Sequence, residues 1–191
     1  VGSATSSWSS KLIHGGLRYL ENYEFRLVRE SLKEREIIFN IAPSITRPIP
    51  FIIPHTKKLR SKLLIRLGLF LYDNLGGKTK VPKSSKINIT KEYPNILKSH
   101  FSVGFQYYDL QVDDKKLVEM NINDAKKMGA SIVENTKVLN AKRTEEGWEI
   151  FLDNDEVIKS KTLINAAGPW INEIINNVIK IKTNKAIRLV R

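Results

Sequence analysis

The sequence predicts an α/β protein with α+β character, and three observations carry that reading. Two stretches with apolar residues at helical spacing lie within residues 23–75. A strand-like run, a capped helix, a glycine and a second strand-like run follow between residues 103 and 134. Three short alternating runs between residues 137 and 160 then read as an antiparallel meander.

The chain opens on ATSSWSSKLIHGGLRYLE, residues 4–21. So many hydroxyls beside a Lys, a His and an Arg make a loop suited to a large polar ligand. Gly15 and Gly16 permit close backbone approach or a positive φ. Residues 23–41 form an amphipathic helix, with Phe25, Val28, Leu32 and Phe39 on one stripe and Arg29, Lys33, Glu36 and Asn40 opposite. Pro43 ends it. Pro43, Pro48, Pro50 and Pro54 forbid helix and favour an extended edge strand through IPFII.

Residues 57–75 give the second helix. Lys57, Lys58, Arg60, Lys62 and Arg66 crowd its start, against the macrodipole, which calls for an external anion. Anionic lipid headgroups would serve, with Leu63, Leu64, Leu67, Phe70 and Leu71 dipping into the interface. The alternative is a buried core helix with a solvated basic end. Gly76 and Gly77 stop the helix, and residues 78–89 read as a mobile basic loop.

VGFQYYDLQV (103–112) reads as a strand, and Asp113 caps a helix over 114–128 whose Val118, Ile122 and Ala125 share a face. Gly129 closes that helix and residues 130–134 return as a strand, so a right-handed βαβ unit is expected. The meander strands are 137–142, 148–152 and 156–160, with turns at Glu146-Gly147 and Asn154-Asp155. TLINAAGPW (162–170) reads as a buried strand, a small-residue turn at Ala166, Ala167 and Gly168, and a helix begun by Pro169. Such a turn can aim backbone amides at an anion or a ring edge.

Composition narrows the chemistry. The 191 residues contain no cysteine, which excludes disulfides, thiolate catalysis and Cys-ligated metal. His14, His55 and His100 are far apart, so no metal site is expected. The net charge of +12 reflects either AT-rich coding bias or an anionic partner: a substrate or cofactor, a membrane surface, or nucleic acid. No nucleic-acid-binding motif is present, and no nucleic acid is expected. Residues 1–10 lack a basic start followed by an apolar run, and no stretch reaches the roughly 18 apolar residues of a spanning helix. A soluble or membrane-surface protein inside the cell is expected.

Three separated segments resemble one family in the same order. They are ATSSWSSKLIHGGLRYLENYEFRLVRESLKERE, then PHTKKLRSKLLIRLGLFLYDNLG with YYDLQVDDKKLVEMN, then LINAAGPWINEI with AIRLVR. The chain resembles the FAD-dependent, quinone-linked glycerol-3-phosphate dehydrogenases over essentially its whole length. The resemblance implies a flavoprotein that oxidises sn-glycerol 3-phosphate to dihydroxyacetone phosphate and passes electrons to quinone. It implies a partial FAD-binding Rossmann-like domain, with residues 1–42 as flavin-side loop and helix and 113–191 as its remainder with the meander. Residues 43–112 would belong to a substrate or membrane-facing domain.

By the same resemblance Thr5, Ser6, Ser9, Ser10, Leu12, His14, Gly15 and Gly16 lie along FAD. Val138 meets its adenine side, and Ala166, Ala167 and Gly168 let the chain pass close to the cofactor. His14, Arg18 and Tyr19 are the candidate catalytic residues, with Arg18 and Tyr19 facing the substrate phosphate. Read as residues alone, Arg18 could instead pair with Glu21 or Glu24, His14 could bond backbone, and Asp113 and Asp114 would cap their helix. Lys116 stands where the family more usually has Arg, and Trp8 where it tends to keep a small residue.

The GxGxxG unit that holds the FAD pyrophosphate in this family is absent, and the chain stops mid-strand in the family pattern. An internal fragment, a split reading frame or a decaying gene is therefore expected, binding FAD weakly or not at all and inactive alone. Expected partners are glycerol 3-phosphate, quinone and an anionic membrane surface through residues 57–75, with a homodimer or a complementing fragment left open. The expected location is cytoplasmic, peripheral on the inner face of the cell membrane. The alternatives are a non-catalytic basic module that binds membrane or a partner, and a sister FAD oxidase of another hydroxy or amino substrate.

Overall fold

The computed structural model describes residues 2–56, 58, 60–94, 96 and 101–182. Lys57, His100 and the closing AIRLVR segment therefore lie outside the described residues. The chain divides into two units, residues 1–130 and 131–191.

The first unit is built on one antiparallel sheet. Its strands are β1 (Leu12–Ile13), β2 (Thr46–Pro54), β3 (Ser85–Asn88) and β4 (Val103–Val112). β4 is the centre. β2 pairs with it along its whole length, from Thr46↔Val112 to Pro54↔Gly104. Its other edge is shared: β3 takes Val103 to Gln106, and β1 takes Leu110 and Gln111. The proline-rich segment is the expected edge strand. Pro48, Pro50 and Pro54 recur at even spacing, so their missing N–H groups fall on one edge of β2 and leave the ladder to β4 intact.

Three helices frame this sheet. They are α1 (Phe25–Ile41), α2 (Lys62–Leu75) and the short α3 (Ile89–Glu92); α4 (Asp114–Lys127) follows the sheet. Val28 and Leu32 of α1 and Tyr72 of α2 form a buried cluster, joined by Leu17, Leu20, Leu75 and Tyr107. The stripe on α1 continues from Val28 and Leu32 to Arg35, which is also buried. Arg35 donates from Nη1 to Asp109 Oδ1 at 2.9 Å and to the Tyr108 carbonyl at 3.1 Å. That carbonyl lies in the stretch of β4 that neither β1 nor β3 covers. Both charged side chains are only 5% exposed. Among the described residues Arg35 Nε is the buried side-chain polar atom without a hydrogen-bond partner. The guanidinium carbon instead stands 5.8 Å from the Tyr72 ring centroid, a cation–π contact.

Four expectations need correction. The basic helix begins at Lys62 rather than 57, because the Ser61 hydroxyl accepts from Leu64 N and caps it there. Two of its cations have internal partners: Arg60 pairs with Glu21 at 3.2 Å, and Arg66 donates to the Ser84 carbonyl and hydroxyl. The segment 78–89 is an anchored connection, not a loose loop. Glu36 binds Thr79 and the Lys80 amide, Asp73 binds the Ser84 amide and hydroxyl, and β3 follows.

The βαβ unit does not form. α4 is capped by Asp113 and Gly129 takes φ +93° as expected, but residues 130–134 join no ladder. β2 takes one edge of β4, and β3 and β1 leave only residues 107–109 of the other open, too short a stretch for a returning parallel strand.

Asp113 is the N-cap of α4, and Asp114 accepts from the first-turn Lys115 amide at 2.9 Å while also clamping the opening loop. Ser9 Oγ donates to its Oδ2 at 2.8 Å, and Lys11 Nζ binds its Oδ1 at 2.7 Å. The Lys11 bond, then the Ser9 bond, lowers the Asp114 carboxyl to about 2.

The second unit carries the expected meander, β5 (Val138–Arg143), β6 (Trp148–Leu152) and β7 (Val157–Ser160), all antiparallel. Ala141, Ile150, Leu152 and Val178 form its core. The fourth correction is at 162–167, which forms no strand and leaves Ile164 82% exposed. Asn165 supplies the reason, since its side chain accepts from Ala167 N and donates to the Ile171 carbonyl, replacing ladder bonds with a local turn. A helical stretch then begins as a 3₁₀ turn (Gly168–Trp170) with Pro169 near its start, and continues through α5 (Ile171–Glu173) into a π turn (Ile174–Ile179).

Two outcomes are expected. Asp109→Ala leaves the buried Arg35 with only the more distant Glu36 carboxylate, at 3.7 Å, and should lower unfolding free energy by about 2–4 kcal/mol in urea titrations. The Asp114 clamp has a folded pKa below the unfolded one, so its contribution is full above about pH 4 and fades as pH falls through about 2. The urea-midpoint difference between wild type and Asp114→Asn should therefore hold steady from pH 7 to about 4 and close below that.

Candidate functional site

Within the first unit, the expected site residues divide into three groups. Thr5 and Ser6 lie on an exposed 3₁₀ turn, Thr5–Ser7, and Ser9 and Ser10 are exposed just after it. The Ser9 hydroxyl is engaged by Asp114, whereas those of Thr5, Ser6 and Ser10 have no partner among the described residues. Leu12, His14, Gly16, Arg18 and Tyr19 meet around one cavity of about 470 Å³. Gly15 is buried beneath it.

The two glycines do different jobs. A Cβ on Gly15 would stand 2.3 Å from Leu32 Cδ2 and 2.8 Å from the Tyr72 hydroxyl, so the backbone occupies the space a side chain would need. Its N–H donates to the Tyr72 hydroxyl at 2.8 Å and more distantly to Asp109 Oδ1 at 3.4 Å. Gly16 takes φ +72° and ψ +48°, the left-handed region, and starts the 3₁₀ turn Leu17–Asn22. The Tyr19 amide closes that turn on the Gly16 carbonyl at 2.9 Å. Tyr23, also left-handed at φ +60°, ends it before α1 begins.

This geometry puts Arg18 and Tyr19 on a short, doubly terminated turn at the cavity. Neither Glu21 nor Glu24 pairs with Arg18; Glu21 pairs with Arg60 instead. Among the described residues no hydrogen bond or ion pair engages Arg18 or His14. A cavity edge with a free guanidinium and a free imidazole suits an anion with hydrogen-bonding oxygens.

The far wall comes from the sheet, and sequence reasoning did not select it. Phe51 and Tyr107 stack at 5.3 Å between centroids, from paired positions on β2 and β4. Asn22 and Asp109 complete the lining. Tyr72 donates to Asp109 Oδ1 at 2.7 Å. Burial, reinforced by the Asp109 charge, pushes the Tyr72 hydroxyl well above the usual tyrosine range, so it keeps its proton and serves as both donor and acceptor. The same two causes raise Tyr107. The available signal for these residues was spacing. Arg35 sits at i+7 from Val28 on the buried stripe, and Asp109 alternates with Tyr107 on β4.

The remaining expected residues lie in the second unit. Val138 opens β5 and packs against the core of the unit. Ala166 and Ala167 precede Gly168, which takes φ +55° and has no atom within 4 Å of where a Cβ would stand. A backbone so open on one side can be approached closely by a flat group. Among the described residues no cluster of His, Asp or Glu could hold a metal, and no helix is long and apolar enough to cross a membrane.

Comparison with known proteins agrees with these features. The family model described as FAD dependent oxidoreductase matches residues 1–191. The chain is 42% identical to D-erythritol 1-phosphate dehydrogenase of Brucella abortus, covering 100% of this chain and 39% of that protein. It is 45% identical to glycerol-3-phosphate dehydrogenase of Pseudomonas aeruginosa, covering 98% of this chain and 37% of that protein. The chain thus spans less than two fifths of the length of either relative. The crystal structure of glycerol-3-phosphate dehydrogenase from Bacillus halodurans complexed with FAD has the same fold, with a TM-score of 0.63 at 22% identity over 92% of this chain and 29% of that one. Matched by the family model from end to end, the chain belongs to the FAD-dependent oxidoreductase family.

Proposed function

We propose that this chain is the part of a flavoprotein dehydrogenase that holds the phosphate end of a small polyol phosphate, sn-glycerol 3-phosphate, against FAD, with dihydroxyacetone phosphate as product and a membrane quinone as electron acceptor. The observation that carries the reading is the unpaired Arg18 guanidinium, set with His14 and Tyr19 on one cavity. A guanidinium fork bonds two phosphate oxygens at once, and charge-assisted bonds are the strong ones. Tyr19 and His14 then hydrogen-bond phosphate or polyol oxygens, while the Phe51–Tyr107 stack closes the apolar side.

The residues present fit the cofactor. The free hydroxyls of Thr5, Ser6 and Ser10 are donors for a flavin's polar chain. When bound, FAD supplies the acceptor for the hydride that leaves the carbinol carbon. The residues of this chain orient, bind and exclude water. The likeness to a dehydrogenase of D-erythritol 1-phosphate favours a second reading, in which the same phosphate site serves a four-carbon polyol.

Association with the inner face of the cell membrane is part of the same proposal. Leu63, at 81% exposed, and Phe70, at 58%, stand out from α2 beside Lys62. An apolar ridge flanked by cations fits an anionic lipid surface.

In the flavin-loaded enzyme, Arg18→Ala should raise KM for glycerol 3-phosphate about 10- to 100-fold, the loss of a charge-assisted bond, with retained flavin unchanged. Comparison of kcat/KM for glycerol 3-phosphate and erythritol phosphate separates the two substrates. Equal activity on unphosphorylated glycerol would refute the phosphate reading. In vesicle sedimentation the protein should pellet with anionic and not neutral lipid, and Phe70→Glu should leave it in the supernatant. Equal binding to both lipids, or to neither, would end the membrane reading.

A further inference from the structure

Beneath the phosphate cavity lies a buried relay that ligand contact does not account for. The Tyr72 hydroxyl accepts from Gly15 N at 2.8 Å and donates to Asp109 Oδ1 at 2.7 Å, and Arg35 holds the same oxygen at 2.9 Å. We propose that Tyr72 is a positioning residue of the phosphate site, its hydroxyl fixing Gly15 as the pivot from which His14 and Arg18 enter the cavity. The proposal rests on the reading of Arg18 as the phosphate ligand.

A phenylalanine at position 72 would keep the edge contact with Tyr107, at 5.9 Å between centroids, and the face under Arg35 at 5.8 Å. What the hydroxyl adds is a constraint on the loop. Leu32 blocks Gly15 from moving inward, since its atoms already fill the place of a Cβ. The bond from Gly15 N to Tyr72 opposes movement outward. Between those two limits Gly15 has one position. Gly16 then turns left-handed and starts the 3₁₀ turn, so Arg18 stands three residues from the pinned amide. A shift at Gly15 is therefore passed along the turn to the guanidinium, where a bidentate bond tolerates little misplacement.

The test uses the flavin-loaded enzyme with inorganic phosphate as the probe. Tyr72→Phe should keep the circular dichroism and flavin absorption spectra of wild type. It should raise both the calorimetric Kd for inorganic phosphate and KM for glycerol 3-phosphate about tenfold, with kcat within about twofold. In an Arg18→Ala background the same substitution should change neither constant further, since a residue acting through Arg18 has nothing left to act on. A loss confined to kcat, or an undiminished effect in the Arg18→Ala background, overturns the proposal. An Arg18→Ala enzyme with wild-type phosphate affinity overturns the phosphate reading and this inference with it. Should Tyr72→Phe fail to fold, Gly15→Ala tests the same pin, because its Cβ would stand 2.3 Å from Leu32 Cδ2 and 2.8 Å from the Tyr72 hydroxyl and so force the loop off its position. It should raise the Kd for inorganic phosphate, and unchanged phosphate affinity in that variant overturns the proposal.

Discussion

The ion pair between Arg35 and Asp109 is the constraint on which the first unit depends. It joins a helix to the central strand at a point where that strand has no neighbour on one side, and both partners are almost wholly removed from water. Two buried charges are costly to desolvate, and the cost is offset only when further hydrogen bonds complete the arrangement. Here the Tyr108 carbonyl serves the guanidinium, and the Tyr72 hydroxyl serves the carboxylate. The last link is the backbone of Gly15. A loop that would otherwise be free to drift is thereby tied to the most buried part of the sheet.

The sheet itself sets where the cavity opens. β2 covers one edge of β4 completely, while β3 and β1 cover only the two ends of the other. Tyr107 and Asp109 fall in the uncovered interval, and both line the cavity. A continuous neighbour there would have closed the site with ladder bonds. The gap is affordable because Arg35 satisfies the exposed carbonyl in place of a strand.

Much of this was legible in the sequence where the signal is local. The Val28–Leu32 part of the α1 stripe, the proline edge strand, the Asp113 cap and the meander all follow from neighbours within a few residues, whereas Phe25 of the same stripe is exposed. Leu12, His14, Gly16, Arg18 and Tyr19 of the opening loop, adjacent in sequence, converge on one cavity. What failed was long-range or competitive. Strands at 130–134 and 162–167 have the right composition, but a strand exists only with a free edge beside it, and Asn165 offers its segment an easier local turn. Arg35 and Asp109 lie 74 positions apart, and nothing local says that a charged residue on an apolar stripe has found a charged partner on a strand.

The adjacent glycines of the opening loop carry one more consequence, for how this chain can change over time. Each disfavours side chains through its own neighbours: Gly15 because Leu32 and Tyr72 occupy the space, Gly16 because the Tyr19 ring stands 2.7 Å from the Cβ position and the left-handed backbone adds strain for an L residue. A smaller residue at position 32 would relieve only part of the crowding at the first site, since the Tyr72 hydroxyl stays 2.8 Å from the Cβ position. It would do nothing for the second, where the Tyr19 ring stands 2.7 Å from the Cβ position on a left-handed backbone. No single compensating change elsewhere can relieve both, so drift at one glycine gives no foothold for drift at the other.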